Sequence, residues 1–348
     1  MQTAATRSDE TGAAHFSATI ARFVQRGILL MPTDEQRDKP AWFERALAVP
    51  AEVGDTMAAG ARIHYAVWGA RGLPGMVLIH GSNAHLEWWR FVAPFLADHF
   101  RVAAFDLSGN GDSGWRERYT GELFAEEAMA VCAAAELGER PVVVGHSFGG
   151  FAALETAHAY GARLGGLILA DFTVRDPDNY VEWGRRAERE GVQPRRGTRV
   201  YADFATALAR FRLMPDQPCP RFLLDYLGTK SLREVDGGWT WKFDPALFDH
   251  LEMGPHQRDK FATLKCRSAV ILGETSDDDG AQAGPYMREI TRGITPIFNI
   301  PGTHHHLMFE EPVALAMAMK AIALAWIQER RADELAAALG RLSAARSE

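Results

Sequence analysis

The chain has 348 residues, 47% of them hydrophobic, enough to bury the core of one extended α/β domain with room for an insertion. A formal charge of −7 with no basic stripe argues against nucleic acid as a partner, since little here would release counterions from phosphates. Three cysteines, Cys132, Cys219 and Cys266, with no C-x-x-C pair, argue against a disulfide framework and against a thiolate metal site.

In chain order, the N-terminus Met1 to Glu10 lacks the basic-then-apolar build of a secretion signal, and no apolar stretch of about 18 residues offers itself as a membrane span. The expectation is a cytoplasmic protein with no membrane partner. Phe16, Ile20, Phe23, Val24 and Ile28 recur at helical spacing, and a polar link follows from Pro32 to Pro40, so residues 1–50 read as a helical leader packed on its own protein. From Arg62 come short apolar runs: Ile63 to Trp68, Met76 to Ile79, Val102 to Phe105, Val142 to Val144 and Leu167 to Ala170. Several are separated by segments long enough for a crossover helix, the pattern of a mostly parallel, doubly wound sheet with helices on both faces. Ala269 to Leu272 and Pro296 to Ile300 continue the series after a gap rich in arginine and aromatics. The predicted organisation is a leader at 1–50, an α/β core at 51–171 and 266–348, and an inserted, mainly helical cap at 172–265. The tail beyond Trp326 reads as an Ala-, Arg- and Glu-rich helix.

Gly145-His146-Ser147-Phe148-Gly149 follows the apolar run Pro141 to Val144 and precedes Phe151 to His158, which reads as a helix. Strand, tight turn and helix in that order make a nucleophile elbow, in which a serine is held in a strained conformation and residues without bulk are needed two positions to either side. Attack by Ser147 on a carbonyl needs a base, and the base needs a third group to hold its tautomer. Ile300-Pro301-Gly302-Thr303-His304-His305-His306 puts histidines on the loop after the last strand, and His305, seven residues before the helix-starting Pro312, is the expected base. Consecutive loop residues do not easily converge on one ion, so no metal and no cofactor are expected there. The loop after Ala269 to Leu272 carries Gly273-Glu274-Thr275-Ser276-Asp277-Asp278-Asp279, from which Asp277 is the expected acid, with Asp278 next. Asp171, at the tip of the run Leu167 to Ala170, is a rival for the same imidazole. Oxyanion donors are expected from the backbone of Phe148 and of Ser82, within His80-Gly81-Ser82-Asn83, with His80 bonding the loop itself. Trp88, Trp89 and His146 are candidate substrate contacts.

The His80-Gly81 turn, the loop Asp106 to Ser113, the Gly145 to Gly149 elbow and the His305 to Pro312 ending together resemble the α/β-hydrolase superfamily, over roughly 63–172 and 266–327. The Asp106 loop is similar to the Asp-x-x-Gly-x-Gly-x-Ser signature of that superfamily, where it has a structural role. The resemblance implies an α/β-hydrolase fold. In the similar epoxide hydrolases and haloalkane dehalogenases an aspartate occupies the elbow, so Ser147 points instead to esters, thioesters, lactones, amides or carbon–carbon bonds. Relatives usually carry the acid three residues after the strand-end glycine, where this chain has Ser276; Asp277 fits a turn one residue longer.

The reading that follows is a cofactor-free serine hydrolase of a carboxylic ester or lactone of a hydrophobic small molecule. Its Ser147-His305-Asp277 triad would work through an acyl-enzyme. One alternative is a carbon–carbon hydrolase of a ring-cleavage product, favoured if cap arginines bind a carboxylate. Another is a non-catalytic ligand receptor on the same scaffold. A small molecule is the expected partner, and assembly into a homo-oligomer stays open.

Overall fold

The structure, a computed structural model, describes residues 39–178, 198–254, 256–276 and 280–345. Pro40–Glu348 forms one compact unit, and the leader's helical pattern at Phe16 to Ile28 lies outside the described residues. Helix α1 (Ala41–Ala48) belongs to this unit, with Phe43 and Ala46 buried in its core, so the core begins some ten residues before position 51.

Eight strands form one sheet: β1 (Glu52–Ala58), β2 (Ala61–Trp68), β3 (Gly75–Ile79), β4 (Arg101–Phe105), β6 (Val142–His146), β7 (Gly166–Ala170), β11 (Ser268–Gly273) and β12 (Ile297–Ile300). Their order is β1-β2-β4-β3-β6-β7-β11-β12, antiparallel at β1-β2 and β2-β4 and parallel from β4 onward. Each of the seven apolar runs named from Ile63 to Ile300 becomes a strand. β1 has no apolar run to announce it, because its Glu-Val-Gly-Asp-Thr-Met-Ala sequence lies at the sheet edge with most side chains in water.

The period-two alternation of side chains divides each central strand between two hydrophobic clusters. Val142 and Val144 join α1 and α9 (Pro312–Ala345) on one face, while Val143 joins α2 (Gly121–Ala134) and α3 (Phe148–Tyr160) on the other. Within α9, Pro312–Leu339 is long and apolar enough to cross a membrane by length and composition, which corrects the expectation of no such stretch. Its apolarity has a local cause, since Leu315, Met319, Ile322, Ala323 and Ile327 form the face buried against the sheet.

The inserted segment is only partly helical. It contains α4 (Phe204–Leu208), α5 (Arg221–Lys230), a hairpin of β8 (Leu232–Val235) and β9 (Gly238–Trp241), and α6 (Gln257–Ala262). Its end returns to the core: β10 (Leu251–Glu252) pairs with β5 (Tyr119–Thr120), Phe261 enters the α2–α3 cluster, and Lys260 Nζ meets the Glu155 carboxylate at 2.6 Å. Helices α7 (Gly280–Ile290) and α8 (Leu307–Glu310) flank the last strand.

Candidate active site

β6 delivers Ser147 at its carboxyl end with φ 52° and ψ −125°, a conformation that costs a non-glycine residue on the order of 1–3 kcal/mol. The glycines around it have no room for a side chain. A Cβ on Gly145 would lie 2.1 Å from the carbonyl oxygen of Gly149, and one on Gly149 would lie 2.4 Å from that of His80. The tight turn of the elbow itself thus demands Gly145, and its packing against the β3 loop demands Gly149.

His305, on the loop after β12, reaches Ser147 Oγ with Nε2 at 2.8 Å and Asp171 Oδ2 with Nδ1 at 2.6 Å. Among the described residues, the carboxylate at the imidazole is that of the rival, Asp171, and not the first choice, Asp277. Asp277 and Asp278 lie outside the described residues. Asp171 follows β7 directly with φ 45°, and its N–H donates to Ile271 O at 2.7 Å. Three donors converge on its carboxyl group: Gly273 N–H on Oδ1 at 2.8 Å, and Ser276 Oγ–H and the imidazole on Oδ2, both at 2.6 Å. Ser276, at the position where relatives carry the acid, thus bonds the acid instead. An apolar run ending in aspartate, with serine at the relatives' acid position, was the signal available in the sequence.

The loop after β3 closes the other side. A Cβ on Gly81 would stand 3.2 Å from both Ser147 Cβ and His146 Nδ1, so the Gly81-Ser82 backbone lies against the nucleophile. Ser82 is exposed and Phe148 begins α3, so its N–H has no intrahelical acceptor. His80 spans the loop: Nδ1 donates to Gly81 O at 2.8 Å and Nε2 accepts from Leu107 N–H at 3.0 Å. Asp106 ties the same region together through Leu86 N–H at 2.6 Å and Asp112 N–H at 2.7 Å, and burial pushes its carboxyl up to about 7. A side chain on Gly111 would collide with that carboxylate, which explains the glycine in the Asp106 loop.

The three substrate-contact candidates turn inward. Trp88, Trp89 and His146 are 6%, 0% and 1% exposed. Trp88 packs its ring on His306 and Phe309, with centroids at 5.3 and 4.9 Å, and Trp89 stands edge-on to His146. Their apolar area stabilises the core more than an open pocket could use it, so the structure gives them a supporting place. An aromatic residue the sequence reading did not single out, Phe248, is 47% exposed and stands edge-on to Phe148 at 5.3 Å. A groove of ≈ 600 Å³ lined by Gly75, Arg140, Val142 and Trp326 lies at the opposite ends of the strands. Ligands of such sheets bind at the carboxyl ends, which is where Ser147 is.

Two further residues hold the histidine loop. Glu310 accepts from the His304 N–H at 2.6 Å and meets its Nδ1 at 2.7 Å, and Gln217 Oε1 accepts from the His306 N–H at 2.7 Å.

A model of the alpha/beta hydrolase family matches residues 76–318. The chain belongs to the alpha/beta hydrolase family. Among the relatives of this hydrolase, esterase Rv0045c of Mycobacterium tuberculosis is 28% identical over 180 residues, 51% of this chain and 58% of that protein. The pimeloyl-[acyl-carrier protein] methyl ester esterase of Edwardsiella ictaluri is 38% identical over 93 residues, 27% of this chain and 34% of that protein. The matches thus span about a third to just over half of these relatives' lengths. The crystal structure of E-2-(acetamidomethylene)succinate hydrolase superposes with a TM-score of 0.66 at 18% identity, covering 78% of this chain and 98% of that one, a likeness of fold.

Burial shapes the protein's acid stability. It lowers His80 to about 4, His306 to about 3 and His146 well below the usual imidazole range. An unfolded chain protonates these rings below about pH 6.5 whereas the native state does not, so stability is fully present above that pH and falls as pH drops from 6.5 toward 4. Urea midpoints measured from pH 7.5 to 4 should decline steadily, and His306→Phe should flatten the decline.

Proposed function

We propose that this hydrolase cleaves carboxylic esters by two-step acyl transfer through Ser147, His305 and Asp171. The observation that carries the reading is the chain of contacts from Asp171 Oδ2 to His305 Nδ1 at 2.6 Å and from His305 Nε2 to Ser147 Oγ at 2.8 Å. Asp171 fixes the tautomer with hydrogen on Nδ1 and leaves the Nε2 lone pair to take the Ser147 proton. Oγ then bonds the carbonyl carbon, and the oxygen that becomes negative is met by the N–H groups of Phe148 and Ser82. The His305 imidazolium protonates the leaving alcohol, and the resulting acyl-enzyme is hydrolysed by water that His305 deprotonates. The esterase names of two relatives support this chemistry, and no step requires a metal or cofactor.

The substrate would place an apolar acyl or alkoxy group against Phe148 and Phe248. Phe248→Ala should raise KM for medium-chain esters several-fold, with acetate little affected, because the lost contact is apolar area alone. The carbon–carbon hydrolase reading called for a carboxylate-binding arginine. Of the cap arginines, Arg185, Arg186, Arg195 and Arg196 lie outside the described residues, and Arg212 donates to the carbonyls of Ala209 and Phe211.

The test is turnover of p-nitrophenyl esters from acetate to long acyl chains, together with mass mapping of a fluorophosphonate adduct. Ester turnover with the adduct on Ser147 is the expected result. Inactivity on esters with turnover of a dienoic diketone acid would move the reaction to carbon–carbon cleavage. No adduct and no turnover would make the protein a ligand receptor.

A further inference from the structure

Loop neighbours alone do not converge on an ion, but the fold adds a third imidazole from another element. His146, at the end of β6, stands with its ring centroid 5.0 Å from that of His305 and 5.5 Å from that of His306, and those two are 4.9 Å apart. All three are buried, and one nitrogen from each lies within 4.8 Å of the others. We propose that His146, His305 and His306 form an inhibitory site for a divalent transition-metal ion, which binds through the catalytic base and takes it out of service.

His146 and His306 carry ring nitrogens that no other contact explains. Nε2 of His146 lies 2.9 Å from the His305 carbonyl oxygen, to which it donates its hydrogen, and this leaves the lone pair on Nδ1. That Nδ1 is buried with no hydrogen-bond partner. Both ring nitrogens of His306 are likewise buried without a well-formed hydrogen bond, although carbonyls of Met214 and Pro215 lie nearby. His305 donates Nδ1–H to Asp171, the carboxylate–histidine pairing that orients metal-bound imidazoles and supplies a negative charge beside the ion. Orphaned buried nitrogens are uncommon because each forfeits its hydration, and here two of the three clustered residues carry them.

Three imidazoles suit zinc, copper or nickel rather than magnesium or calcium. With Zn–N near 2.0–2.1 Å, ligand atoms of one ion lie about 3.4 Å apart, so the rings must close by up to about 1.4 Å. Water or Ser147 Oγ completes the shell. Inhibition follows from a shared lone pair: the Nε2 electrons that would accept the Ser147 proton are donated to the metal instead.

The inhibitory half rests on His305 being the base, whereas metal binding does not. Zinc chloride titrated calorimetrically into the full-length Ser147→Ala protein should bind at one site, and His306→Leu in that background should weaken binding at least about tenfold. In the unmodified protein, zinc should inhibit ester hydrolysis and EDTA should restore it. Should His306→Leu misfold, anomalous diffraction at the zinc edge from the unmodified protein decides the matter, with the ion expected among the three rings. Zinc bound elsewhere, or not bound, would overturn the site. Zinc bound among the rings with full ester turnover would overturn the role of His305 while leaving the site.

Discussion

Asp171→Asn is expected to lower kcat for ester hydrolysis by about 10⁴-fold while Asp277→Asn leaves it within about twofold. The asparagine can keep its oxygen on the Gly273 N–H, the bond that Oδ1 of Asp171 accepts at 2.8 Å. Its amide nitrogen then faces His305 Nδ1, where the native carboxylate accepts at 2.6 Å. A donor facing a donor forces the imidazole into the tautomer with hydrogen on Nε2, and that nitrogen can no longer take the Ser147 proton. The fold should survive, so thermal melting should change far less than kcat. Ser276 provides an internal control, since its hydroxyl already lies 2.6 Å from Asp171 Oδ2. Asp171→Asn with Ser276→Asp should recover at least about tenfold over Asp171→Asn alone, by presenting a carboxylate from the β11 loop. Loss in Asp277→Asn with retention in Asp171→Asn would return the acid to Asp277.

Gly149→Ala should destabilise the protein by about 4 kcal/mol or more and abolish turnover. Its Cβ would sit 2.4 Å from the carbonyl oxygen of His80 and 2.5 Å from that of Ile79, and both are backbone atoms of the strand and loop that bring Ser82 to the nucleophile. A flexible side chain could swing away, but these carbonyls cannot move without parting α3 from β3. Denaturant unfolding should show a lowered midpoint with an unchanged slope. Gly60→Ala is the contrast: its Cβ would meet nothing within 4 Å, so only the φ of 82° is penalised. That substitution should cost about 1 kcal/mol. Equal costs at the two positions would mean that the elbow relaxes in a way this packing does not allow.

The identity of the acid shows where sequence reasoning stopped. Asp171 and Asp277 both follow apolar runs that became neighbouring strands, β7 and β11, so the sequence offers both carboxylates to the same imidazole. Spacing along the chain carries no information about which tip aims inward. That depends on the φ of 45° at Asp171 and on Gly273 and Ser276 turning their donors toward its carboxylate. Trp88 and Trp89 show the same limit: just past the oxyanion loop they are near the site in sequence, yet the 3-10 turn Leu86–Trp88 leads them into the core.

The sequence by itself determined the strands of the central sheet apart from β1, the elbow at Ser147 and the histidine loop. Buried strands need continuous apolar runs, and a strained serine between strand and helix needs glycines in a fixed pattern, so both leave local marks. Tertiary structure alone decided that Asp171 meets His305, that Phe248 stands beside Phe148, and that His146 joins His305 and His306. Those relations join residues far apart in the chain, 159 positions in the bond from His146 Nε2 to the His305 carbonyl. They are set by strand order and loop direction, which no local pattern of residues encodes.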